Sequence, residues 1–211
     1  MTTDELIATL SGSAQPVAPA RIGRLVWPVL AGAALSMAVL VAWLGLRPMD
    51  EAIASNSFWM KAAYTAALAV AGGLVARSLA RPAGRPGLGV LIGPAALVVI
   101  VAVAAIELAR VPPREAVILW LGQTWMMCPM RILVLATPIF LGAVVGLRRL
   151  APTRLAAAGA AAGLLAGAAG ATIYGLYCQE TAAAFVAFWY TLGIAACALA
   201  GTLLGPRLLR W

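Results

Sequence analysis

Apolar positions along this chain gather into six long blocks, and the polar positions between them form short links rich in arginine. A helix needs about 20 mostly apolar residues to cross the hydrocarbon of a bilayer. Residues 25–46, 58–76, 88–109, 132–147 (extended back to about Cys128), 155–178 and 182–204 meet that requirement. Lys61 is placed to snorkel near the start of the second block. The expected fold is all-α: a polytopic membrane protein with six transmembrane helices, its two termini on one side. The apolar run from Ala116 to Leu147 is too long for one untilted crossing, roughly 48 Å at 1.5 Å per residue. Pro112 and Pro113 mark a helix start and Gly122 a stop. Residues 114–121 are therefore expected as a short helix on the membrane surface, with the chain entering the membrane at Cys128-Pro129.

Small residues within the blocks predict how the spans pack. Gly159, Gly163, Gly167, Ala171 and Gly175 recur every four residues in the fifth block, and Gly193, Cys197, Gly201 and Gly205 do so in the sixth. Such stripes let helix backbones approach closely in lipid. Cys197 reads as a small packing residue, and Cys178 is expected beside the packed seam rather than against lipid.

Outside the blocks, the N-terminal tail carries a pattern of its own. Thr2-Thr3-Asp4-Glu5 has the spacing of a capping box, and Leu6, Ile7 and Leu10 follow as one apolar stripe. Ser11-Gly12-Ser13 should end the helix, and Pro16 and Pro19 should make an extended tether to the first span. So short a helix is unstable alone in water and reads as a segment that folds on docking to a partner. The chain thus divides into a tail, 1–24, with a short partner-binding helix, a six-helix membrane domain, 25–204, and a C-terminal tail, 205–211.

Composition agrees with a membrane protein: 64% of residues are hydrophobic and 10% charged, where a soluble domain has about a quarter charged. The net charge of +8 matters through its placement. Arg21, Arg24, Arg77, Arg81, Arg85, Arg148, Arg149, Arg154, Arg207 and Arg210 fall on the face that holds the termini. The other face has Arg47, Lys61, Arg110, Arg114 and Arg131, diluted by Asp50, Glu51, Glu107, Glu115 and Glu180. The positive-inside rule makes the first face cytoplasmic, both termini included, and Trp43, Trp59, Trp125, Tyr174 and Tyr177 then form an outer aromatic belt. Trp27 and Trp211 mark the inner boundary. The acidic start lacks the basic region of a secretory signal.

The chain has no histidine, which removes a Ser-His-Asp triad and most zinc chemistry. It also has no phosphate-binding glycine loop, no Cys-x-x-Cys pair and no acidic residue at a bilayer midplane, where an ion-coupled transporter would need one. It is not expected to be an enzyme or to hold a resident cofactor. What remains is Cys128 and Cys178, at the outer ends of consecutive antiparallel spans, so that both thiols reach the same outer interface. Disulfides are permitted there. Arg131, one turn from Cys128, would favour its thiolate. Met126, Met127 and Met130 are soft thioethers nearby, so a transient soft metal ion at Cys128 and Cys178 is one reading and packing another. Glu180 reads as a solvated loop carboxylate, with a hard ligand as the other reading. A small transporter, or an accessory subunit of a membrane thiol-redox enzyme, is the alternative to a sensor.

The segment from Thr3 to Leu10 with the later Pro16-Val17-Ala18-Pro19, the Cys128-Pro129 pair and the closing Gly205-Pro206-Arg207-Leu208-Leu209-Arg210-Trp211 resemble the NrsF family. The resemblance covers essentially the whole chain. It implies a six-span anti-sigma factor of the bacterial inner membrane that holds an extracytoplasmic-function sigma factor inactive and makes no direct contact with nucleic acid. Cys128 and Cys178 match the family cysteines linked to sensing metal or oxidative stress. The resemblance also implies what the tail docks on: Asp4, Glu5, Leu6, Ile7 and Leu10, with Arg148 and Arg149 of the fourth link, are the expected sigma-binding residues.

Overall fold

Close backbone contact needs small side chains, and the helix with most of them lies at the centre of the bundle. The computed structural model describes residues 2–13, 23–81, 84–85 and 87–210. Its helices are α1 Thr3–Ser13, α2 Gly23–Trp43, α3 Met49–Ala54, α4 Asn56–Leu79, α5 Gly89–Ala109, α6 Pro113–Leu121, α7 Cys128–Arg148, α8 Leu155–Tyr174 and α9 Ala183–Leu208. Six of them, α2, α4, α5, α7, α8 and α9, are long and apolar enough to span a membrane. Most residues of the Gly- and Ala-rich α8 are buried, and it packs on α4, α7 and α9, whereas few residues of the Val- and Leu-rich α5 are buried. Small residues lose little by leaving lipid and gain van der Waals contact by letting neighbours approach.

The predicted stripes form this packing. Gly159 lies against the backbone of Gly201 and Gly205, Gly163 against Cys197 and Ala198, and Gly167 against the Cys197 side chain. Cys197 is buried in this seam. Gly175 is not part of it: a Cβ there would meet only carbonyls of its own helix, those of Thr172 and Ala171. A second seam joins α2 to α7 through a reciprocal arrangement: Gly32 abuts the Pro138 carbonyl, and Gly142 abuts the Pro28 carbonyl. Both prolines sit inside continuous helices.

Gly163→Leu is expected to wedge α8 from α9 and cost about 1–3 kcal/mol or more, the usual penalty of overpacking. Gly73→Ala, whose added methyl would meet only Leu165 Cδ1 at 3.7 Å, should be neutral. Thermal unfolding of the detergent-solubilised pair measures the difference.

Several boundaries differ from expectation. The first span leaves the helix after Trp43 and turns through Gly45, whose φ is +78°. The fifth span ends at Tyr174 rather than at residue 178. Leu176, Tyr177 and Cys178 continue as turns bonded back to the carbonyls of Ile173 and Tyr174. The tail helix runs through Ser13 instead of ending at Ser11. Two features were not anticipated: the short α3, and a π-helical segment, Val186–Tyr190, inside α9. The tether at Pro16 and Pro19, Arg21 and Trp211 lie outside the described residues.

The two ends of the bundle are distinct. Gly146 near the end of α7 packs on Leu25 at the start of α2, and Gly205 near the end of α9 packs on Leu155 at the start of α8. These chain segments therefore share one end, with Arg148 and Arg149 exposed beside them. Cys128 and Cys178 are at the other.

Candidate functional site

At the end opposite Arg148, the start of α7 and the turn after α8 bring Cys128 and Cys178 into one apolar cluster with Ile132, Tyr174, Phe185 and Tyr190. The thiols reach the same depth, as the antiparallel spans require, but they do not stand in water. Cys128 is 0% exposed and Cys178 2%. Both are free thiols, held where the packing of α7, α8 and α9 meets. Tyr190 packs in the same cluster as Cys178, and among the described residues neither its hydroxyl nor that of Tyr174 has a hydrogen-bond partner. Tyr174, expected in the outer belt, is instead fully buried in this cluster.

The turn bearing Cys178 is tied down by two cations. Lys61, one and a half turns into α4, does not snorkel outward; it is 2% exposed. Its Nζ donates to the Cys178 carbonyl at 2.9 Å and to the Glu180 carbonyl at 2.6 Å. The chain leaves helical geometry after Tyr174, which frees carbonyls for this ammonium. A buried ammonium is tolerated only where hydrogen bonds replace water. Arg47, stacked on Phe58 with its Cζ 5.0 Å from the ring centre, donates from Nη1 to the same Cys178 carbonyl at 3.2 Å. Beneath Lys61, the Thr172 hydroxyl of α8 donates to Thr65 of α4, which donates to the Lys61 carbonyl, each at 2.9 Å. The polar contacts of the Cys178 turn thus run into α4.

Glu180 is not a solvated carboxylate. Its Oε1 accepts from the backbone N–H groups of Gln123 and Thr124 at 2.8 and 3.1 Å and from the Thr124 hydroxyl at 3.1 Å. It thereby stitches the link after α8 to the link before α7. Gly122 closes this joint with φ +60°, and a Cβ there would lie 2.9 Å from Glu180 Oε2 and nearer still to the Phe185 ring. The surface helix α6, one residue longer than expected, is held by Trp189 Nε1 donating to the Trp120 carbonyl at 2.9 Å. The π-helical segment carries Trp189 and Tyr190 into this joint; such segments recur at functional sites.

The remaining candidates are placed differently. Arg131 stacks over Tyr177, its Cζ 5.2 Å from the ring centre. Met126, Met127 and Met130 are exposed, so they do not converge on the buried thiols. Among the described residues no three His, Cys, Asp or Glu side chains gather as a metal site. A cavity of about 430 Å³ opens above Cys178 between Thr124, Tyr177 and Glu180. A neighbouring one of about 280 Å³ shares Gln179 and Thr181 with it and reaches Arg47. Small solutes have a polar route toward Cys178 from this end, while Cys128 is closed off.

The N-terminal helix α1 carries the predicted capping box. The Thr2 N–H donates to Glu5 Oε2 at 2.9 Å and the Glu5 N–H to Thr2 Oγ1 at 3.4 Å. Asp4 and Glu5 are exposed, as are Leu6 at 41% and Ile7 at 58%; the Leu10 side chain lies outside the described residues.

Sequence reasoning found the two cysteines but missed what secures them. An ionisable side chain inside a span is itself a pointer to a site, and Lys61 carried that signal. Nothing in the sequence marked the π-helical segment.

Comparison with known proteins bears on the whole chain. The model of the family NrsF, negative regulator of sigma F, matches residues 10–211. The chain is 40% identical over 215 residues to the anti-sigma-F factor NrsF of Caulobacter vibrioides (strain NA1000 / CB15N), covering 100% of both chains. It is 39% identical over 217 residues, again with 100% of both covered, to the probable anti-sigma-F factor NrsF of Azospira oryzae (strain ATCC BAA-33 / DSM 13638 / PS). No solved structure matches it.

Proposed function

The chain belongs to the NrsF family, and from that premise we propose that it is an anti-sigma-F factor of the bacterial inner membrane. The full-length likeness to curated anti-sigma-F factors carries the reading. Its partner is a sigma factor of the extracytoplasmic-function type, held at the cytoplasmic face with both termini of the chain. The positive-inside distribution of arginine supports that orientation. The exposed, capped helix α1 offers Leu6 and Ile7 for docking, flanked by Asp4 and Glu5. About ten ordered residues make less than a standard interface, so Arg148 and Arg149, exposed in the link after α7, add contacts to an acidic sigma surface. The protein itself performs no catalysis.

The signal is read at the other face. Cys128 and Cys178 respond to oxidant or to a soft metal ion. On oxidation the two thiols give up two electrons and two protons to the oxidant and join as a disulfide; a soft metal would instead bridge the two sulfurs with loss of the thiol protons. Either event repacks α7 against α8. The link after α7 conveys the change to the sigma-binding face.

The direct experiment is capture of the sigma factor by the purified full-length protein. Leu6→Asp and Ile7→Asp are each expected to weaken capture at least tenfold, about 1.4 kcal/mol, and to switch on a sigma-dependent reporter at equal protein level. Unchanged capture in both variants would rule out α1 as the docking element.

A further inference from the structure

At the arginine-rich end, α5 starts against α4 well before α4 ends: a Cβ on Gly89 would be 2.6 Å from the Ala71 carbonyl. The connecting link folds back beneath: the Gly84 N–H donates to the Arg81 carbonyl at 3.0 Å, and Gly84 abuts the Ser78 carbonyl. Beside the end of α4 lies a cavity of about 300 Å³ lined by Leu74, Arg77, Ser78, Arg81 and Leu88. Arg77 lies in the last turn of α4 and Arg81 in the bend two residues past its end; both line the cavity, and both are exposed. No carboxylate is among these lining residues. On its outer side the cavity continues into apolar surface, with Leu88 75% and Leu91 69% exposed on the flank of α5.

We propose that this cavity binds the headgroup of an anionic phospholipid, the phosphodiester between the guanidinium groups of Arg77 and Arg81 and an acyl chain along Leu88 and Leu91. Guanidinium groups match phosphate oxygens with paired, charge-assisted hydrogen bonds, and the Ser78 hydroxyl is one more donor. Basic pockets between spanning helices on the cytoplasmic side are suited to such headgroups. The apolar outer rim decides between occupants. An acidic protein segment would have to lie along exposed leucine, whereas a lipid brings both the anion and the chain. The site is independent of the sigma-binding reading.

The test is native mass spectrometry of the purified full-length protein with phosphatidylglycerol and phosphatidylcholine in competition. The expected result is a preference for phosphatidylglycerol of about tenfold, or about 1.4 kcal/mol, lost in Arg77→Gln/Arg81→Gln. The control Arg154→Gln/Arg210→Gln removes the same charge from the same end and should keep the preference. Ser78→Leu fills the cavity without changing charge and should also lose it, which keeps the test valid if the double variant folds poorly. A preference that survives Arg77→Gln/Arg81→Gln overturns the proposal. So does equal loss in the control, which would make it a general field effect, or displacement of the lipid by inorganic phosphate at the same concentration, which would make it a soluble-anion site. Loss of sigma capture in lipid-free detergent by Arg77→Gln/Arg81→Gln, with lipid preference intact, would assign the cavity to a protein partner instead.

Discussion

Cys128→Ser combined with Cys178→Ser is expected to leave the sigma factor captured and to abolish its release by oxidant or thiophilic metal, so that the induction ratio of a sigma-dependent reporter falls to about one. The magnitude follows from what a switch requires. Moving a two-state equilibrium from 1:99 to 99:1 takes about 5.5 kcal/mol, while ordinary allosteric coupling supplies about 1–3 kcal/mol. A bond between the two sulfurs reaches the larger figure, and a weak ligand in the cavity above Cys178 does not. Serine differs from cysteine by one atom, and its hydroxyl can turn to a nearby backbone carbonyl, so the expected cost to folding is only about 1 kcal/mol. Burial of both thiols adds a kinetic expectation: a bulky impermeant maleimide should label them slowly in the native protein and rapidly after unfolding. A double variant that still releases the sigma factor on oxidation would place the sensor elsewhere.

Lys61→Met is expected to raise the basal output of the same reporter. Methionine keeps the length of the lysine stem and removes the ammonium, leaving the Glu180 carbonyl without this donor and the Cys178 carbonyl with Arg47 alone. An unsatisfied buried acceptor costs about 1–3 kcal/mol, though interhelical hydrogen bonds in membranes average nearer 0.6 kcal/mol. A net loss of about 2 kcal/mol is a factor of about 30. Applied to a resting state captured about 99:1, it leaves roughly a quarter of the sigma factor free. Protein level and thermal stability, measured alongside, separate this from simple misfolding. Basal output equal to that of the parent protein would mean that Lys61 only fills space.

The spans could be read from sequence because the length of an apolar block is dictated by the bilayer, and the seams because glycine at every fourth position has few other uses in lipid. Span ends were harder. Helix α8 stops at Tyr174 although apolar residues continue, since the turn after it is held by Lys61 and Arg47 from other parts of the chain. The cysteine pair was legible through topology alone: consecutive antiparallel spans must return to one level. The seam stripe placed Cys178 away from lipid, but the burial of Cys128 was not legible, because that depends on how α7 and α8 are rotated, which also took Tyr174 from the expected rim into the interior. The roles of Lys61 and Glu180 escaped for a related reason. Both pair with backbone groups far along the chain, and a backbone carbonyl or N–H has no letter in a sequence.

The four-residue spacing that joins α8 to α9 limits how these helices can move past one another. Each glycine is a notch that accepts the opposing backbone, and successive notches, four residues apart, are separated by about 6 Å, a little over one turn. A slide of less than that spacing drives side chains into main chain, whereas a full spacing sets every notch opposite the next. Motion along this interface is therefore stepped rather than graded, and a disturbance at the Cys178 turn must advance α8 by a whole notch or leave it where it stands.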